Sequence, residues 1–160
     1  MSKIIAIIIV FVLVYLSIKP KRSVYKGVKS YQFSKYINKL LNQTKDNGSI
    51  FIENKVENKC IVITRFIDEE RIMVNVVLPI AAWSLQYVKI FQDILKSENI
   101  QYTSMDASDE AKSFLKGYVV VPNLPNVERV VEVAKLAVKV IGLQADASFT
   151  LRFVSNEQAN

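Results

Sequence analysis

Glu53-Asn54-Lys55 and Glu57-Asn58-Lys59 place two Glu-x-Lys triplets within seven residues of one another. Any chemistry here would rest on such carboxylates and ammonium groups, because the sequence holds no histidine. That absence removes Ser-His-Asp and Cys-His catalysis, HExxH metal sites and imidazole-ligated zinc. Asp106, Asp109 and Glu110 offer hard oxygen donors. The EF-hand pattern with its glycine is missing, however, and carboxylates in the first turn of a helix answer to the macrodipole. The expectation is a short helix capped by Asp106 and ending at Leu115. Cys60 is the single cysteine and sits in the apolar run "CIVITRF", which suits a buried, inert thiol. Gly27, Gly48, Gly117 and Gly142 stand too far apart to build a nucleotide-binding loop. No catalytic, cofactor or metal residue is therefore assigned, and no cofactor is expected.

The charge is unevenly spread. Residues 1–29 carry Lys3, Lys19, Lys21, Arg22, Lys26 and Lys29 and no acid, so all of the +6 net charge resides there. The remainder balances 15 basic against 15 acidic residues. A domain that grips nucleic acid should carry a basic face of its own, so no nucleic-acid partner is expected. With 51% hydrophobic residues the chain is not of the disordered class.

Residues 4–18 read "IIAIIIVFVLVYLSI", apolar on every side, where a core helix of a small domain would be amphipathic. As a helix from residue 2 to residue 19 the segment would reach roughly 27 Å, enough to span a slightly thinned bilayer with lysines at both ends. Pro20 then stops it. The exit "YLSIKPKR" lacks the small residues that cleavage of an export signal requires. The expected organisation is a tail at 1–3, a transmembrane signal-anchor at 4–19 and a basic juxtamembrane linker at 20–29. A globular domain at 30–155 and a polar tail at 156–160 complete it. The more basic flank, Lys19, Lys21, Arg22, Lys26 and Lys29, belongs in the cytoplasm by the positive-inside rule. The N-terminus is then outside and the domain cytoplasmic. The same five residues are the candidate contacts to anionic lipid.

Within the body, residues 30–44 place Phe33, Tyr36, Ile37, Leu40 and Leu41 on one helical face, with Ser30 as N-cap. Strand patterns follow at 49–54, 59–67 and 71–79, the last two joined by a short turn at 68–70. The middle run is apolar on both faces and so belongs in the centre of a sheet. A helix over 84–97 buries Tyr87, Val88, Phe91, Ile94 and Leu95, with Trp83 as a hydrophobic staple before it. Strands at 100–105 and 117–122, a helix from Asn126 to Gly142 and a strand at 147–154 complete the series. The fold class expected is α+β: a three-strand antiparallel meander extended into a mixed sheet with helices packed on it.

The order α-β-β-β-α-β resembles the core of the restriction-endonuclease-like nucleases. That resemblance implies an acid on the second strand and a (D/E)xK triplet on the third. Here Glu53-Asn54-Lys55 closes the first strand run, Glu57-Asn58-Lys59 lies in the turn after it, and the third run, "RIMVNVV", has no acid. The reading that results is a single-pass membrane protein whose domain acts as a binding or scaffold subunit of a membrane-associated assembly. Its partners are the bilayer, through the N-terminal segment, and a protein. The alternatives are a metal-dependent nuclease-like enzyme and an extracytoplasmic envelope component, and for the N-terminal run a cleaved export signal that leaves the domain secreted.

Overall fold

The computed structural model describes residues 22–42, 47–68, 71–109, 112, 115–144 and 146–155. The expected signal-anchor, Lys19, Lys21 and the polar tail lie outside them. Among the described residues seven strands form one sheet in the order β1-β7-β2-β3-β4-β6-β5. The strands are β1 (Arg22–Val28), β2 (Gly48–Asn54), β3 (Lys59–Asp68), β4 (Arg71–Ile80), β5 (Thr103–Asp106), β6 (Gly117–Val121) and β7 (Phe149–Ser155). The described α-helices, α1 (Phe33–Asn42), α2 (Leu85–Ser97) and α3 (Val127–Val140), pack on it. The α+β class and the β2-β3-β4 meander are as expected, and β3 occupies the middle of the sheet.

Expectations about the sheet, the linker and Asp106 are corrected. The sheet is not mixed, because every described strand pair is antiparallel. The C-terminal strand slots between β1 and β2, and both of those run opposite to it. Within the segment expected as linker, residues 22–28 form an edge strand, paired along β7 from Arg22↔Val154 to Val28↔Phe149. Gly27, at φ +69°, supplies the left-handed residue of a bulge that shifts the register between Tyr25 and Val28. Finally, Asp106 is the last residue of β5 and caps no helix. Much of the short helix expected to follow it falls outside the described residues.

Alternation sorts each strand into two faces. Ile50 and Ile52, Ile61 and Ile63, Val74, Val76 and Leu78, Val119 and Val121, and Phe149, Leu151 and Phe153 share one face. They meet Phe33, Ile37, Leu40 and Leu41 of α1, Phe91 and Leu95 of α2, and the valine-rich stripe of α3 in one core. Phe33 meets Phe149 edge to face at 5.2 Å, fixing α1 over β7. A 3-10 turn, Ser30–Gln32, precedes α1. The N-cap position there is Lys29 rather than Ser30: its N–H donates to Gln32 Oε1 and its carbonyl accepts from the Gln32 N–H.

Helix ends follow local chemistry. Asn126 Oδ1 accepts from the Arg129 N–H at 2.9 Å and caps α3. Gly142, at φ +79°, closes it. Its N–H donates to the Lys139 carbonyl, and that of Leu143 donates to the Val138 carbonyl. Asn99, at φ +57°, does the same for α2.

Candidate functional site

The turn from β2 to β3 carries both Glu-x-Lys triplets, and its geometry is set by asparagines. Asn54 Oδ1 accepts from the N–H groups of Val56 and Glu57, both at 3.0 Å, and Asn58 takes the left-handed conformation at φ +53°. Antiparallel pairing sets Glu53 opposite Cys60 on one side and Thr150 on the other. Arg152, one pleat further along β7, reaches diagonally to Glu53 in a largely buried ion pair and lies over the Phe51 ring at 4.7 Å. A cavity of about 450 Å³ opens here, lined by Glu53, Asn54, Lys55, Asn58, Lys59, Cys60 and Arg152.

The charges around that cavity are largely spent on one another. Lys59 Nζ lies 2.8 Å from the Glu57 carboxylate, donates to the Ile141 carbonyl at 2.9 Å and sits 5.3 Å from the centre of the Tyr87 ring. The Ile141 carbonyl is at the negative end of α3, so the ammonium ties the β2–β3 turn to that helix. The hydrogen bond it donates to Glu57 is the main reason its pKa stands above the ordinary lysine value. Burial pushes the Cys60 thiol up to about 11, the Glu53 carboxylate adds to the rise, and Arg152 works against it. At neutral pH the thiol stays protonated and is a poor nucleophile. The arrangement can clamp a turn and present Lys55 and polar amides at a rim; it does not activate a nucleophile.

Glu53, the acid of the first triplet, is thus held by Arg152, while Lys55 and Glu57 stand exposed on the turn. The third strand of the meander offers Asn75, not an acid, and its side chain accepts from the Asn123 N–H. Among the described residues no group of three or more Asp, Glu, Cys or His could hold a metal ion. Asp109 is exposed and pairs with Lys112.

The five basic flank residues do not share one surroundings. Lys19 and Lys21 lie outside the described residues. Arg22 opens β1, and Lys26 stands exposed on that strand. Lys29 is engaged internally: Nζ donates to the Asp146 carbonyl and to Ser148 Oγ, pinning the end of β1 to the approach of β7. Among the described residues no helix is long and apolar enough to cross a membrane.

Sequence reasoning passed over the second face of the sheet. One row crosses all seven strands there: Val24, Arg152, Phe51, Val62, Val77, Val120 and Thr103. The row beside it runs Arg22, Val154, Ser49, Thr64 and Asn75. The signal was available, since β3, β4 and β6 read as near-continuous apolar runs, the mark of strands covered on both faces. No known protein family, curated protein or solved structure matches the chain.

Proposed function

We propose that the chain is a single-pass, membrane-anchored domain that acts by binding, as a subunit of a membrane-associated protein assembly. The observation that carries this reading is where β1 begins. Only Lys19, Pro20 and Lys21 separate the apolar run from Arg22, the first residue of the sheet. Three residues span at most about 10 Å, so the sheet stands directly against whatever surface the run enters. Lys19, Lys21 and Arg22 then lie at the headgroup level of the cytoplasmic leaflet. A strand rises about 3.3 Å per residue, which puts Lys29 some 23 Å further along. That exceeds the roughly 8 Å screening length of physiological salt, so Lys29 serves the fold and not the lipid.

Antiparallel pairing sets the β2–β3 turn at the opposite end of the sheet from Arg22. Its rim of Lys55, Glu57 and Asn58 is exposed and faces away from the membrane, towards a protein partner. Tethering raises the effective concentration of the domain for other membrane proteins, so modest contacts at that rim suffice.

Two measurements on the full chain test the reading. After carbonate extraction the protein should remain in the membrane pellet at its full length. A cysteine placed in the C-terminal "SNEQAN" should escape a membrane-impermeant maleimide until cells are lysed. Release into the supernatant, or a mature N-terminus near residue 20, would overturn the anchor. Labelling of intact cells would move the domain outside the cytoplasm.

A further inference from the structure

The cavity at the end of the β2–β3 ladder, about 450 Å³, is of the size that small ligands fill. Register puts Glu53 and Cys60 on the second face of the sheet with Arg152, and Asn54 and Lys59 on the first. All five line the cavity, which therefore wraps the end of the ladder.

Its charge is unbalanced. Three lining residues are cationic, Lys55, Lys59 and Arg152, and one, Glu53, is anionic. Glu53 answers Arg152, and Glu57 answers Lys59 from outside the cavity. Among the described residues Lys55 has no ion pair, so one positive charge is left over. The Arg152 and Lys59 side chains are only 10% and 14% exposed, and concave walls of low dielectric focus the field of such groups.

Hydrogen-bonding capacity leans the same way. The principal acceptors are engaged within the chain: Glu53 by Arg152, Asn54 Oδ1 by the Val56 and Glu57 N–H groups, and the Ile141 carbonyl by Lys59. The Asn54 amide nitrogen and the Lys55 ammonium are left as donors. Surplus positive charge and surplus donors select an anion over a cation. Glu53 sets the upper limit on its charge, because a phosphate ester of about −1.5 to −2 would meet that carboxylate. A carboxylate carries one charge and accepts from an ammonium and an amide together.

We propose that this cavity is a binding site for a carboxylate monoanion, held by Lys55 and the Asn54 amide above the Glu53–Arg152 pair. The anion is either a small molecule or the free C-terminus of a partner chain; the chemistry is the same for both. The site is built from β2, β3 and β7 and the turn between β2 and β3, and it needs no bilayer.

Cys60, the single cysteine, lines the cavity and is half-buried, so it reports occupancy. The test is the rate at which N-ethylmaleimide, an uncharged reagent, modifies Cys60 in the full chain in a nonionic detergent at pH 8. Sodium acetate should slow modification several-fold with a saturating dependence, while sodium chloride at equal ionic strength should not. Acetylated tetra-alanine with a free C-terminus should protect and its C-terminal amide should not. A midpoint at least tenfold below that of acetate assigns the carboxylate to a chain terminus, and equal midpoints assign it to a small molecule. Lys55→Ala should abolish protection and Lys55→Arg should keep it. Lys55 is exposed on the turn, so neither change disturbs the core. Absence of protection by both carboxylates, equal protection by chloride or by the amide, stronger protection by phosphate, or protection that survives Lys55→Ala would each overturn the proposal. Carbonate extraction of the same preparations reads the anchor separately, since its outcome does not touch the protection of Cys60.

Discussion

Cys60 shows how much a residue's neighbours decide. In sequence it is a lone thiol in an apolar strand; in the structure it faces Glu53 across the β2–β3 pairing, with Arg152 close by. Burial first and the Glu53 carboxylate second lift its pKa from 9.0 to about 11. The consequence for stability has a definite sign. Below pH 9 the thiol is protonated in folded and unfolded chains alike and contributes nothing pH-dependent. Between pH 9 and 11 the unfolded chain releases its proton while the folded one cannot, so stability falls as pH rises. Two pKa units correspond to a loss of about 2–3 kcal/mol by pH 11. Lys59 and Tyr118, both raised, move stability in the same direction over this range, so the thiol must be isolated by comparison. Urea unfolding of the wild-type chain and of Cys60→Ala at pH 8 and pH 10.5 should show the smaller loss in the variant. Parallel losses would mean that the thiol is not held in its protonated form by the fold.

At the scale of elements, what was legible followed local pattern and what was missed depended on distant pairing. The meander was readable because β3 is apolar on both faces and each neighbour carries its own alternation. α3 was readable from Asn126 at one end and Gly142 at the other, and both act as expected. Asn126→Ala and Gly142→Ala should each cost about 1 kcal/mol, the first by orphaning the Arg129 N–H and the second by forcing a Cβ into φ +79°. Equal denaturant midpoints for wild-type and either variant would contradict the corresponding cap. β1, by contrast, reads "RSVYKGV": two basic residues in the chain's most basic segment, with a bulge at Gly27, mask a strand with apolar positions only at Val24, Tyr25 and Val28. Its pairing is decided by β7, more than a hundred residues later. The Glu53–Arg152 pair was hidden for the same reason, since its partners stand 99 residues apart. Asp106 had the composition of a cap, but pairing with Gly117 of β6 keeps it in a strand.

For the whole molecule, the position of β1 moves the start of the folded unit from Ser30 back to Arg22. β7 lies between β1 and β2, so a chain that begins at Ser30 bares one full edge of a buried strand. It also loses Val28, which is 2% exposed in the core, and the contact of Tyr25 with Tyr36 at 4.9 Å. Burial of one valine is worth roughly 1.5–3 kcal/mol, before the lost ladder of hydrogen bonds is counted. Against a typical domain stability of about 5–15 kcal/mol, that loss is large. Chains spanning 22–160 and 30–160 both lack residues 1–21, so the comparison reports on β1 and the residue that follows it. The longer chain should unfold cooperatively in urea. The shorter should unfold at a lower midpoint and elute earlier on gel filtration, as bared β7 edges associate. Coincident midpoints and elution volumes would show that β1 is an accessory to the sheet, and that the domain begins where the sequence first suggested, at Ser30.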